Sequence, residues 1–350
     1  MGITKKAFGT TAKGEEAVLI TLENSNGMKV SLSDFGAVIV NIIVADAKGE
    51  FADIALGFDS VTGYEKNAPF FGAFIGRHAN RIGGACFTLN GTEYKLEQNN
   101  GTNNLHSGTP FYHKVMYSYD TNEGTGCNSV TFSRVSKDME QGFPGMLEIH
   151  VTYKLTDDNE LYIIYDAQSD KDTIVNFTNH SYFNLDGEGS GDILDHVVQI
   201  DASAFTPTSG ILVPTGEIRP VKGTPLDFTS PKRVGDEIDA DFEPLKFGKG
   251  YDHNFVLDKG NGVFARAAKA SGVSGRYVEV YTDLPGMQFY TGNNIADADN
   301  GKNGHAYHVR DGLCFETQYF PDSCNIESFP SCVLRAGDKF HSQTMYKFGA

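Results

Sequence analysis

The chain has no tryptophan, and its five cysteines, Cys86, Cys127, Cys314, Cys324 and Cys332, are odd in number and form no C-x-x-C pair. Neither a disulfide framework nor a zinc site is indicated, and a reducing, cytoplasmic compartment is expected. No stretch approaches the run of about 18 apolar residues that a membrane span needs. The opening Met1-Gly2-Ile3-Thr4-Lys5-Lys6 lacks the apolar core of a signal peptide. Cations are also scarce: 29 Lys plus Arg face 45 Asp plus Glu, a formal net charge of −16 over 350 residues. That balance repels phosphate backbones and anionic lipid, so neither nucleic acid nor a membrane is expected as a partner, whereas a neutral small molecule fits.

A sustained 3.6-residue apolar period is missing too, and 39 glycines and 12 prolines punctuate the sequence every few residues. Long helices are therefore not expected. Runs rich in β-branched and aromatic residues recur instead: 18–22, 28–32, 37–44, 87–89, 130–135, 147–155, 161–167, 197–200, 254–257, 276–282, 287–291, 313–319 and 339–348. Asn26-Gly27 and Asn90-Gly91 read as type I′ hairpin turns, and Thr156-Asp157-Asp158-Asn159 as a polar connection. Many strands joined by short turns, with no Pro/Ser-rich linker or charge run between them, imply one all-β domain over 1–350, a large antiparallel sandwich.

Two segments concentrate chemistry. Asn176-Phe-Thr-Asn-His180-Ser-Tyr-Phe-Asn-Leu185 sets a histidine among amides, hydroxyls and aromatics. Leu313-Cys-Phe-Glu316-Thr-Gln-Tyr-Phe-Pro-Asp322 sets a carboxylate in an apolar strand, where an unpaired charge is costly and so points to use. Taken singly, His180 reads as a bonded core histidine and Glu316 as half of an ion pair. Together the segments resemble the signatures of the aldose 1-epimerase (galactose mutarotase) family. Three further blocks carry the same resemblance: Gly76-Arg-His-Ala-Asn80-Arg81-Ile82, Gly250-Tyr-Asp252-His-Asn-Phe-Val-Leu257 and Pro285-Gly-Met-Gln288-Phe-Tyr-Thr-Gly292.

The resemblance implies a β-supersandwich with a sugar cleft and an enzyme that interconverts the α and β anomers of free hexoses such as D-galactose and D-glucose. Opening and reclosing a hemiacetal needs a general base and a general acid, and neither a metal nor a cofactor. By position in the motifs, Glu316 is the implied base at the C1 hydroxyl and His180 the implied acid at the ring oxygen. The expectation includes a carboxylate that favours the imidazolium, and a carboxyl pKa raised by burial. Asn80, Arg81, His106, Asp252 and Gln288 are the implied sugar contacts; Arg77 is left open between a site residue and an exposed charge.

The sequence departs from the family pattern at two places. Asn104-Leu-His106-Ser107-Gly108 has serine where the family's Leu-His-Gly-Gly has glycine, and Tyr117 stands where many members carry tryptophan. Any apolar platform under a sugar must then be Phe or Tyr. Other patterns are weaker. Asp297-Ala-Asp-Asn-Gly301 begins like a calcium loop but has Gly301 at the fifth position and His308 at the twelfth. His305-Ala-Tyr-His308 could chelate a metal but lacks the Glu of H-E-x-x-H, and Gly187-Glu-Gly-Ser-Gly191 has no βαβ unit around it. Cys314 shares a strand face with Glu316 and reads as core rather than nucleophile. Two alternatives remain: a sugar-binding protein without turnover, and an epimerase for sugar phosphates, which would need more cations around the cleft.

Overall fold

A computed structural model describes residues 2–295 and 301–350. The Asp297-Ala-Asp-Asn300 run, and with it the first five residues of the 296–306 loop, lies outside the described residues. The fold is all-β and antiparallel, and its two α-helices among the described residues, Val61–Lys66 and Glu243–Gly248, are six residues each.

Three sheets organise it. Nine strands form the largest, running in spatial order from Ser118–Gly124 through Cys127–Ser136, Leu147–Thr156, Glu160–Ser169, Lys339–Gly349, Tyr277–Thr282, Ala265–Ser271 and Val197–Ile200 to Lys232–Arg233. The segment Gly2–Asp53 makes a five-stranded meander. A second five-stranded sheet orders Arg219–Pro220, Ala204–Phe205, Asp252–Val256, Gly286–Tyr290 and Cys314–Gln318. Side chains from all three meet in one apolar cluster that includes Ile20, Val30, Ile149, Ile163, Phe255, Val280, Phe289 and Tyr346. Period-2 burial along Leu147–Thr156 and Glu160–Ser169 supplies its floor, as alternation along a strand requires.

Each of the thirteen strand-like runs coincides with an observed strand to within a residue or a few at its ends. One turn differs. Asn90 and Gly91 adopt φ of 52° and 78°, the I′ geometry, but at Asn26-Gly27 only Gly27 is left-handed, at 81°. There Asn24 takes over: its Oδ1 accepts from the N–H groups of Asn26 and Met28, which favours a longer turn with a glycine bulge. The strand Gly2–Thr10 escapes the sequence pattern because it lies at a sheet edge and buries only Phe8.

Candidate functional site

The sheet that ends on Cys314–Gln318 aligns its residues so that Asn254, Gln288 and Glu316 oppose one another, as do Asp252, Tyr290 and Cys314. Opposed residues of antiparallel strands share a face. One face therefore carries the polar set, while the other sends Phe255, Met287, Phe289 and Phe315 into the core, with Phe289 and Phe315 stacked at 5.5 Å. His180 arrives from the short strand Thr178–His180, paired with Ala73–Ile75. The asparagines around it stitch irregular backbone. Asn176 donates to Tyr319 O and accepts from Tyr319 N, while Asn179 accepts from the Ser181 backbone and hydroxyl.

These elements enclose a cavity of about 540 Å³ lined by His180, Glu316, His106, Asn80, Arg81 and Asp252, with Phe70, Tyr182, Tyr290 and Phe247 as aromatic walls. Six of the seven sequence-derived site residues thus meet in one place. Gln288 does not line the cavity: it lies behind Asp252 and donates Nε2–H to Asp252 Oδ1 at 2.6 Å, while Gln318 donates to Gln288 Oε1. Phe70, Phe247 and Lys249 also line the cavity and escaped the sequence reading, because isolated residues in connecting segments show no period and no motif.

His180 Nε2 and Glu316 Oε1 are 3.6 Å apart, both side chains nearly inaccessible. Burial lowers the imidazole to about 4 and drives the carboxyl well above its usual range, aided by Asp252 and opposed by Arg81. The expected imidazolium is therefore not the favoured form, because desolvation of both partners outweighs their attraction. The expected rise of the carboxyl does occur. Burial also keeps Cys314 a neutral thiol, its Sγ 3.6 Å from His180 Nδ1. Glu316 Oε2 is buried without a hydrogen-bond partner, an acceptor open towards the cavity.

The ligating atoms of His106, His180 and Glu316 lie within 4.8 Å of one another, close enough to consider a metal. The tautomer of His106 argues against one. Asn80 N–H donates to His106 Nδ1, and the His106 N–H donates back to Asn80 O, so the ring proton sits on Nε2. A cation would have to displace that proton or the backbone donor. In His305-Ala-Tyr-His308, the His305 imidazole and the Tyr307 hydroxyl both bond to Glu188.

Backbone strain gathers here. Five of the fifteen described non-glycine residues with left-handed φ line the cavity: Phe70, Asn80, His106, Leu212 and Lys249. Each such conformation costs about 1–3 kcal/mol and persists only where its surroundings enforce it. Ser107, at φ 67°, stands at the family's glycine position, and its hydroxyl accepts from His78 N and donates to His78 O, which offsets the strain. Tyr117 lies in the core, away from the cavity wall, with its hydroxyl on Tyr112 O.

Arg81 Nε donates to Asn100 Oδ1 at 3.0 Å, which fixes the guanidinium at the cavity. Arg77 is neither a cavity residue nor an exposed charge. It is wholly buried, and its two terminal nitrogens donate to Pro144 O, Gly145 O, Thr173 Oγ1 and Ser136 Oγ. A single ammonium cannot span that set. Arg77→Lys is expected to cost about 3 kcal/mol in urea unfolding while kcat of the folded fraction stays unchanged; an unshifted unfolding curve would refute the structural role.

Known proteins match this chain in sequence and in fold. The family model described as aldose 1-epimerase matches residues 18–347. A galactose mutarotase from Bos taurus is 42% identical over 350 residues, covering 99% of each chain, and an aldose 1-epimerase from Escherichia coli (strain K12) is 38% identical over 338 residues, covering 96% of each. The solved structure of galactose 1-epimerase from Lactobacillus acidophilus NCFM superposes with a TM-score of 0.87 at 27% identity, covering 99% of this chain and 98% of that one. The match is full-length in sequence and in fold, and the chain belongs to the aldose 1-epimerase family.

Proposed function

We propose that this enzyme, an aldose 1-epimerase, interconverts the α and β anomers of free hexoses, D-galactose and D-glucose among them, with Glu316 and His180 as its proton-transfer pair. The observation that carries the reading is the 3.6 Å approach of two buried titrating groups at one cavity wall. The Glu316 carboxylate takes the proton of the C1 hydroxyl. The O–H electron pair becomes the second bond of the aldehyde, the C1–O5 bond breaks, and O5 takes its proton from His180. Rotation about C1–C2 turns the other carbonyl face to O5. The reverse transfers then close the ring as the opposite anomer, and no atom is gained or lost.

Protonated Glu316 beside neutral His180, the form that burial favours, is the state the pair reaches once the ring is open. It holds the same single proton as carboxylate beside imidazolium. A closed sugar therefore needs only to draw that proton across, helped by Arg81, whose charge favours the carboxylate. Asn80, Arg81 and His106 donate to sugar hydroxyls, and Asp252 accepts from them with Gln288 holding its orientation. His106 offers an Nε2–H donor because its Nδ1 is already occupied.

Polarimetry of freshly dissolved α-D-galactose and α-D-glucose tests the reading. The enzyme is expected to speed the approach to equilibrium, and His180→Asn to lower kcat by about 10²- to 10⁴-fold. Buffer-rate mutarotation by the unaltered enzyme, with sugar still raising its melting temperature, would identify a binding protein instead.

A further inference from the structure

Phe70 belongs to none of the motif blocks, yet its ring packs among aromatic rings at the cavity. It lies 4.8 Å from the His106 ring, 5.0 Å from His113, 5.4 Å from Phe111 and 5.9 Å from His180, roughly parallel to the last at 26°. Tyr182 is also roughly parallel to His180, at 5.0 Å and 28°. Two aromatic rings thus lie roughly parallel to the imidazole, and an aromatic face offers it no lone pair. Its nitrogens, in the ring plane, meet Cys314 Sγ and Glu316 Oε1.

The ring is held there at a cost. Phe70 has φ of 66°, a conformation that a bulky residue adopts only when forced. The forcing is visible on both sides. Asn67 grips Phe71 through two hydrogen bonds, to its carbonyl and from its N–H, and Tyr182 donates its hydroxyl to Pro69 O. Gly72, itself at φ 63°, packs so tightly that a Cβ would come within 1.9 Å of Ile39 O. Gly72 N–H also donates to His180 O, so the turn that carries Phe70 is bonded to the backbone of the histidine its ring covers.

We propose that Phe70 is a positioning residue for the acid: its ring, fixed by a strained backbone against the His180 imidazole, holds the plane of that imidazole and keeps water off it. The proposal rests on the reading that His180 passes a proton to the ring oxygen. A hemiacetal oxygen is a weak base, so a dry imidazole of low basicity is the better donor once it carries the proton, provided its N–H points at the oxygen. A ring packed nearly parallel to the imidazole serves both conditions.

Phe70→Gly tests it, because glycine adopts positive φ without strain and so removes the ring while relieving the backbone. Phe70→Tyr keeps the ring. In Phe70→Gly, kcat for α-D-galactose is expected to fall about tenfold with KM changed by less than about threefold, and the low-pH limb of kcat/KM to move up by about one unit. Nitrogen-15 NMR of the His180 imidazole, assigned with His180→Asn, is expected to show the same upward move without any turnover, and Phe70→Tyr to return both close to the wild-type position. A merely structural role would lower the folded fraction and leave limb and imidazole where they were. An unmoved imidazole in Phe70→Gly therefore overturns the proposal, whatever happens to the rate. Absence of anomer exchange by the unaltered enzyme would overturn the functional reading instead, and the imidazole titration would still decide the role of Phe70.

Discussion

Glu316→Gln is expected to lower kcat by about 10³-fold and to leave the protein as stable as before or more so. The two effects share one cause. The Glu316 carboxyl is buried, has an oxygen without a partner, and lies near Asp252, so ionising it inside the fold is unfavourable. Glutamine keeps the shape and can donate into the cavity, but it cannot accept a proton. The pH dependence gives a second signature. A carboxyl whose folded pKa is raised contributes stability below its unfolded pKa, about 4.3, and loses it as pH rises through the folded value. The advantage of Glu316→Gln over wild type should therefore be absent near pH 4 and grow above it. Matched thermal melts at several pH values, with polarimetry alongside, check both. A variant that keeps wild-type rate would remove Glu316 from the mechanism.

The second large effect is a steep loss of stability in mild acid. His78, His180 and His253 are buried and lowered to about 4, and His106 and His113 lie well below their usual value for the same reason. Each contributes stability above its unfolded pKa of about 6.5 and loses it as pH falls towards 4, because the unfolded chain takes the proton first. The three at about 4 correspond to about 3 kcal/mol each, about 10 kcal/mol together at most, against a total stability of about 5–15 kcal/mol. Raised carboxyls at Glu316, Asp34 and Asp322 act with the opposite sign and soften the fall. Circular dichroism melts are expected to show a melting temperature that falls steeply between pH 6.5 and 4, while the fold persists at room temperature near pH 4. A melting temperature at pH 4.5 within about 3 °C of that at pH 7.5 would show that the histidines are not the acid-sensitive element.

The strands were legible because half-buried sheets write a period of two into the sequence, as in Leu147–Thr156. The proposed proton-transfer pair was legible for the opposite reason, since His180 and Glu316 break an apolar context. Position relative to the cavity was less so. Gln288 shares a face and a cross-strand row with Glu316, yet its hydrogen bonds to Asp252 and from Gln318 hold it behind the wall. Arg77 and Arg81 are four residues apart in one block, and only the fold separates a buried brace from a cavity guanidinium. Phe70 and Lys249 occupy turns whose direction is set by contacts with distant segments, which local pattern does not encode.

The order of the nine-stranded sheet also constrains how the molecule is made. Lys339–Gly349 sits in its interior, hydrogen-bonded on one side to Glu160–Ser169 and on the other to Tyr277–Thr282. The strands on either side of that gap have no other link within the sheet, so a nascent chain still threaded through the ribosome beyond residue 338 exposes two unpaired β-edges. Synthesis must run through Lys339–Gly349 before the edges are sealed, and until then both lie open to pairing with the wrong strand.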